Sequence, residues 1–260
     1  FIQNDLRTLD NYGEWYYDPG ATKLFVFFGE IEPGTKVTKV STINNLLINT
    51  GGYDYITING IDFEGSNGSS VYFKSGTDYC TFKNCSISFS GNNGFELSGT
   101  NQTVINNSVS YCNGGGILIN GANVLVKHNN LAYIGCIEGQ SNMIVTCIGM
   151  TINANNPTVQ YNSLDHVAYM GIYFTVAAKT GTIQFNLVNY PCQLLNDSGG
   201  IYMGHDHPNT LIDQNIVVNS GANGIYLDES CTGVTASNNT AAHCRGCGIK
   251  LHKSHDNIIN

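Results

Sequence analysis

Charge is scarce in this chain. Lysine and arginine number 11 and aspartate with glutamate 19, so charged residues are 12% of the 260, about half the share of an ordinary globular protein. With a net charge of -8 and so few cations there is no basic stripe to follow a phosphate backbone, which argues against a nucleic-acid partner. Long apolar runs are missing too: "KLFVFF" (23–28) is among the longest and is too short to span a bilayer, so no membrane partner is expected. The first residues lack a cationic start followed by an apolar block, so a signal peptide has either been removed or never existed. Nine cysteines form only one close couple, Cys244 and Cys247, with no paired Cys-x-x-Cys motif. They read as small buried apolar residues rather than a zinc site, and neither metal nor cofactor is expected.

Helical periodicity is also absent, and the gap is filled by 30 glycines and very many asparagines, residues that favour turns and left-handed corners. A Gly-Ile pair recurs at 116/117, 171/172, 200/201, 224/225 and 248/249. A second phrase, an apolar residue followed three positions later by Asn, runs beside it to Asn59, Asn107, Asn129, Asn162, Asn186, Asn215 and Asn239, with Cys85 in the same slot, and the chain ends in step with it on "NIIN" at Asn260. The repeat is about 25 residues long, and each unit holds short alternating segments that cannot bury an apolar face alone. Stacking must do it, which predicts an all-β parallel β-helix over 41–260, with Asn side chains bonded rung to rung as a ladder. A β-sandwich would space its strands at 8 to 12 residues without a repeating phrase. Residues 1–40 stand outside the repeat and read as a strand pair around "DPGA" (18–21) that packs on or caps the solenoid. The chain stops in mid-repeat, so it reads as part of a longer protein whose open strand edge could stack end to end.

Aligning the repeats on Gly-Ile sorts the side chains. Tyr173, Tyr202, Tyr226 and Lys250 fall in one outward column; Thr175, Gly204, Asp228 and His252 in the next; then His205, Glu229 and Lys253; then Asp206 and Ser230. A patch of tyrosines beside carboxylates suits a sugar, which needs an apolar surface for its ring and acid/base groups at the glycosidic bond. Asp206 with Asp228 or Glu229, on adjacent rungs, is the pairing this alignment prefers. Tyr173, Tyr202, Tyr226, His205, Lys250 and His252 would bind the substrate. The run "HDH" (205–207) could ligate a metal with Asp228 but reads better as a cleft wall, and His243 and His255 have no evident partner.

The tandem phrases resemble the right-handed parallel β-helix superfamily of carbohydrate-active enzymes. "GEWYYDPGATKLFVF", "NDSGGIYM" and "GIYLDESCTGVTASNN" look like the β-helix glycoside hydrolases of the family 141 type, which have fucosidase and xylanase activities, and more distantly like family 120 β-xylosidases. The resemblance implies a secreted hydrolase of plant or algal polysaccharide with a carboxylate pair at Asp197 and Asp228. These two lie seven residues out of step, roughly 23 Å along a straight strand, so a sharp bend is required. The superfamily also contains lyases, epimerases and phage tailspikes. A lyase would abstract a proton with Lys250 or a tyrosine, although a uronate substrate would want more neutralising charge; a third reading is a structural or adhesive fibre without catalysis.

Overall fold

The computed structural model describes residues 5–30, 32–139 and 146–260. The chain divides into two compact units, within 1–40 and 41–260. In the first, Trp15–Asp18 pairs antiparallel with Lys23–Val26, and the Asp18 carboxylate closes the turn by accepting the Gly20 and Ala21 N–H groups at 2.9 and 3.1 Å.

The second unit is a right-handed parallel β-solenoid with three strand-bearing faces. The first face begins with Leu47–Asn49, Val71–Phe73 and Phe95–Thr100 and ends with Ile249–Leu251. The second face runs from Thr57–Asn59 to Ile258–Ile259, and the third from Asp62–Ser66 to Thr240–Ala242. Two long strands, Gly199–Asp213 and Asn223–Ser237, pass unbroken from the first face to the second. Aligned positions on the first face advance by 24 residues at each end of the stack (Leu47, Val71, Phe95; Ile201, Ile225, Ile249). Between them the steps are longer or shorter, through Ile117, Met150 and Ile172.

The Gly-Ile pair has a steric cause. A Cβ on Gly116, Gly149, Gly171 or Gly224 would meet the carbonyl oxygen of the corresponding glycine on the next rung at 2.4 to 2.6 Å, closer than real contacts allow. On Gly171 the same atom would also stand 2.5 Å from Val188 Cγ1 in the core. Each following apolar residue (Ile117, Met150, Ile172, Ile225) is fully buried. Gly171→Ala is therefore expected to spread two rungs and cost about 1–3 kcal/mol, read as a lower denaturant midpoint; an unchanged midpoint would show that the rungs accommodate the methyl.

At the turn after the second face, Asn107, Asn129, Asn162, Asn186 and Asn215 are buried. Each donates its side-chain amide to the next rung's Asn Oδ1 at 2.9 to 3.0 Å, the series ending on Asn239. Asn59 and Asn260 do not belong to it. Asn59 aligns with Lys83, and Ile259 aligns with Ala236, so both asparagines stand two positions short of the corner. The phrase at Asn59 was anchored on Ile56, whereas the residue equivalent to Phe82 and Val104 is Ile58.

At a second turn the corner residues are aromatic, with Phe89, Tyr111, Tyr133, His166 and Tyr190 at φ between 49 and 57°. Side chains rarely take this conformation, and ring stacking at 5.3, 5.0, 5.0 and 4.6 Å offsets its cost.

Candidate active site

The two long strands carry the site. Tyr173, Tyr202, Tyr226 and Lys250 are paired in register across four rungs. The tyrosine rings meet edge to face, at 5.5 Å for Tyr173 with Tyr202 and 5.4 Å for Tyr202 with Tyr226. Lys250 Nζ lies 4.2 Å from the centre of the Tyr226 ring. Tyr226 is buried under this cover, so the free ring surface of the column falls to Tyr173 and Tyr202, both half-buried.

Asp228 sits one pleat further on, opposite Gly204. Its Oδ2 accepts from the Tyr202 hydroxyl at 2.9 Å, and its Oδ1 contacts His252 Nδ1 at 2.7 Å and the Glu229 N–H at 2.9 Å. Its side chain keeps 12% of its surface open, and its partners are polar groups of the outward face, not core residues. Burial alone would raise this carboxyl, but hydrogen bonds from His252, the Glu229 N–H, Tyr202 and Tyr226 outweigh it and hold the group below the usual aspartate value. The Tyr202 phenol is pushed up by burial first and then by its bond to Asp228; Tyr226 is pushed up in the same way, with the charges of Asp197 and Glu229 adding to the effect. A Cβ on Gly204 would meet nothing nearer than the Tyr202 hydroxyl at 3.7 Å and the Asp228 carbonyl at 3.9 Å. The glycine thus leaves a notch about a methyl group in size against the Asp228 rung.

Asp197 reaches this patch by an insertion. The step from Ile172 to Ile201 is 29 residues, against 22 for the step before it and 24 for the step after, and the added stretch around 193–197 precedes the strand. The Tyr169 hydroxyl donates to the Asp197 carbonyl at 2.8 Å. Burial first, then the charges of Asp197 and Asp228 among others, raise the Tyr169 phenol, so both carboxylates act on one surface. Tyr169 was not among the sequence candidates; its signal was an aromatic two residues before Gly171 and one rung before the longest site insertion.

Asp206 is placed differently from its alignment. The register shifts between Gly204 and Asp206, so Asp206 stands opposite Thr232 rather than Ser230. Its carboxylate accepts from Thr232 Oγ1 at 2.6 Å and lies 3.4 Å from Lys179 Nζ; the Thr232 bond is the main cause of its lowered pKa. Glu229 is exposed at the rim, and His205 is exposed within the shifted stretch at φ +73°. The run 205–207 does not present two histidines to one ion: His207 is buried with both ring nitrogens on backbone carbonyls. Among the described residues no group of three or more His, Cys, Asp or Glu side chains is placed to hold a metal. His255 has a neighbour that the sequence did not indicate, the Asp256 carboxylate at 2.9 Å.

The family model for the right handed beta helix region matches residues 44–207 and 191–260. No curated protein matches the chain in sequence. Among solved structures, a GH136 lacto-N-biosidase from Eubacterium ramulus (selenomethionine derivative) is similar at a TM-score of 0.51 and 10% identity, over 85% of this chain and 44% of that one. A protein described as a glycoside hydrolase is similar at 0.53 and 14%, over 96% and 57%. The chain spans about half the length of these structures, and at such identities the likeness is one of fold. No helix among the described residues is long and apolar enough to cross a membrane.

Proposed function

From the premise that the chain belongs to the right-handed β-helix family, we propose that it is a secreted glycoside hydrolase acting on a plant or algal polysaccharide at the Asp228 face. The observation that carries this reading is a carboxylate held by the Tyr202 hydroxyl, His252 and the Glu229 N–H, opposite the side-chain-free Gly204 and beside two half-buried tyrosines. The similar structures, a lacto-N-biosidase and a glycoside hydrolase, support it. In this reading a sugar lies against Tyr173 and Tyr202 with its glycosidic bond at the Gly204 notch. Asp228, kept anionic, faces the developing positive charge at the anomeric carbon, and Asp197 or Glu229 protonates the leaving oxygen. His252 orients Asp228, and Lys250 and His205 bind hydroxyl groups at the edges. Asp206, engaged by Thr232 and Lys179, stands outside the pair.

Proton abstraction by a tyrosine, as a lyase would need, is disfavoured. The Tyr202 and Tyr226 phenols are raised, which is the wrong direction for a base. The test is reducing-sugar release from xylan and from a fucose-containing polysaccharide, with ultraviolet absorbance followed for unsaturated products. Release without an absorbance rise supports hydrolysis; an absorbance rise on a uronate polymer would replace this reading with the lyase.

The donors around Asp228 also predict a pH effect. A carboxyl whose folded pKa is lowered adds stability that is present above its unfolded value and is lost as pH falls through the folded value. Tyr202→Phe removes one donor to the anion, so the Asp228 pKa should rise and the acid limb of the activity profile should move to higher pH. An acid limb that stays in place would detach it from Asp228.

A further inference from the structure

His207 is 0% exposed, and its two ring nitrogens face two carbonyl oxygens. Nδ1 lies 2.8 Å from the Ala178 oxygen and Nε2 2.8 Å from the Gly204 oxygen. Carbonyls only accept. A neutral imidazole has one N–H and can serve one of them while its other nitrogen turns a lone pair toward the second; the imidazolium donates to both.

The two carbonyls belong to successive rungs, and the second lies at the site. Gly204 is the notch residue opposite Asp228, and the strand register shifts there twice, between Gly204 and Asp206 and between Asp206 and Thr210. His205, within the first shift, has φ +73°, a strained conformation for a residue with a side chain that persists only where its surroundings hold it. A bulge of this kind re-aims a side chain. The groups that hold it are few: the His207 ring beneath, Lys179 Nζ donating to the Asp206 carbonyl, and the Thr232 hydroxyl on the Asp206 carboxylate.

We infer that His207 is a positioning residue of the Asp228 site: as the imidazolium it clamps the Gly204 and Ala178 carbonyls together and so holds the bulge that presents His205 beside the notch. Neutral, the ring keeps one carbonyl and the bulge loosens. The inference rests on the reading of this face as the glycan site.

The charges around the ring oppose one another. Asp206, the preceding residue, favours the imidazolium and Lys179, on the preceding rung, disfavours it. On the following rung the buried Cys231 thiol is pushed up to about 12, by burial first and then by Asp206 and Asp228, and stays neutral. Burial outweighs the two carbonyl bonds and holds His207 below the ordinary histidine value of 6.5, so the clamp closes in mild acid. The sign for stability is opposite: the unfolded ring binds its proton more readily, so global stability falls as pH drops below 6.5 while the site tightens.

The primary test is NMR of the imidazole nitrogens and backbone amides of the full chain, from about pH 4 to about pH 8, with no substrate present. The expected result is two ring N–H protons on His207 in acid and one near neutrality, with the His205 and Asp206 amides shifting at the same midpoint. A ring that keeps one tautomer throughout, or titrates without change at 204–206, overturns the inference. A second arm is His207→Phe, which removes both donors at similar bulk. On whichever of xylan or the fucose-containing polysaccharide the protein cuts, kcat should fall about tenfold or more, with the acid-side rise of the wild-type profile abolished. A folded variant with wild-type kcat and profile overturns the clamp; if the variant does not fold, the NMR result on the native protein decides. Coupled titration without any glycan cleavage would defeat the hydrolase and leave the clamp standing, whereas cleavage with an uncoupled ring would do the reverse.

Discussion

Asp228→Asn should abolish most glycan cleavage, lowering kcat by about 10³-fold while the fold is kept. The magnitude follows from what one positioned acid, base or nucleophile contributes, about 10² to 10⁴. The fold should survive because the amide is nearly isosteric and Asp228 lies in an outward column, clear of the core. Its Oδ1 can still accept from the Glu229 N–H, and the Tyr202 hydroxyl can turn its proton elsewhere. What is lost is the negative charge. Lowered phenol pKa values for Tyr202 and Tyr226 would accompany the substitution, since the Asp228 carboxylate is one cause of their rise. Full cleavage by a folded Asp228→Asn protein would remove the carboxylate from the mechanism. Comparing Asp197→Asn with Glu229→Gln on an activated aryl glycoside then separates the two candidate acids. The true acid is dispensable when the leaving group needs no proton, so its variant should recover on the aryl substrate and fail on the polysaccharide.

The parts of the molecule legible in the sequence are those set by one steric or hydrogen-bonding requirement that recurs over most rungs. Glycine before the buried apolar residue is such a requirement, because at Gly116, Gly149, Gly171 and Gly224 a Cβ would collide with the next rung's carbonyl. That single constraint aligns Tyr202 with Tyr226 and Gly204 with Asp228. Alignment by a phrase alone is weaker: any Asn three positions after an apolar residue fits, and Asn59 fits without occupying the buried corner, while Asn260, three positions after Asn257, shares only the spacing.

The site itself departs from the repeat, and that is where straight-strand arithmetic fails. Asp206 left its expected neighbours because the strand bulges at 204–206. Asp197 reached the patch because the residues around 193–197 are an insertion, not a continuation of the strand. Insertions in a solenoid map to loops on one face, and it is rung length rather than side-chain spacing that brings Asp197 to the Tyr169 hydroxyl. His207 illustrates a third limit. Its neighbours in sequence suggested a solvent-facing wall, but its environment depends on a carbonyl of residue 178, brought beneath it by the preceding rung.

Asn162→Ala should be the most damaging single change to stability. Asn162 Oδ1 accepts the Asn129 N–H at 2.9 Å and the Asn129 side-chain amide at 3.0 Å, while its own amide donates to the Val126 carbonyl at 3.0 Å and to Asn186 Oδ1 at 2.9 Å. All of this is buried: Asn129, Asn162 and Asn186 are each 2% exposed or less. Alanine leaves the Asn129 N–H and the Val126 carbonyl without these partners in a space that excludes bulk water. Each stranded buried group costs about 1–3 kcal/mol, so the loss should be about 3–5 kcal/mol. Asn162→Asp should be no better, because a carboxylate cannot donate to Val126 and would be charged beneath the surface. Gln160→Ala is the matched control. Its side chain, two residues earlier at the end of the strand Thr158–Gln160, faces outward and donates to Gln184 Oε1 at 3.0 Å, and its removal should cost under about 1 kcal/mol. Guanidinium unfolding followed by far-ultraviolet circular dichroism measures all three. Because rungs contact mainly their neighbours, hydrogen exchange should localise the damage to the rungs of Asn129 and Asn186. Equal midpoints for Asn162→Ala and Gln160→Ala would mean that the buried amides are replaceable and that apolar packing alone holds the stack.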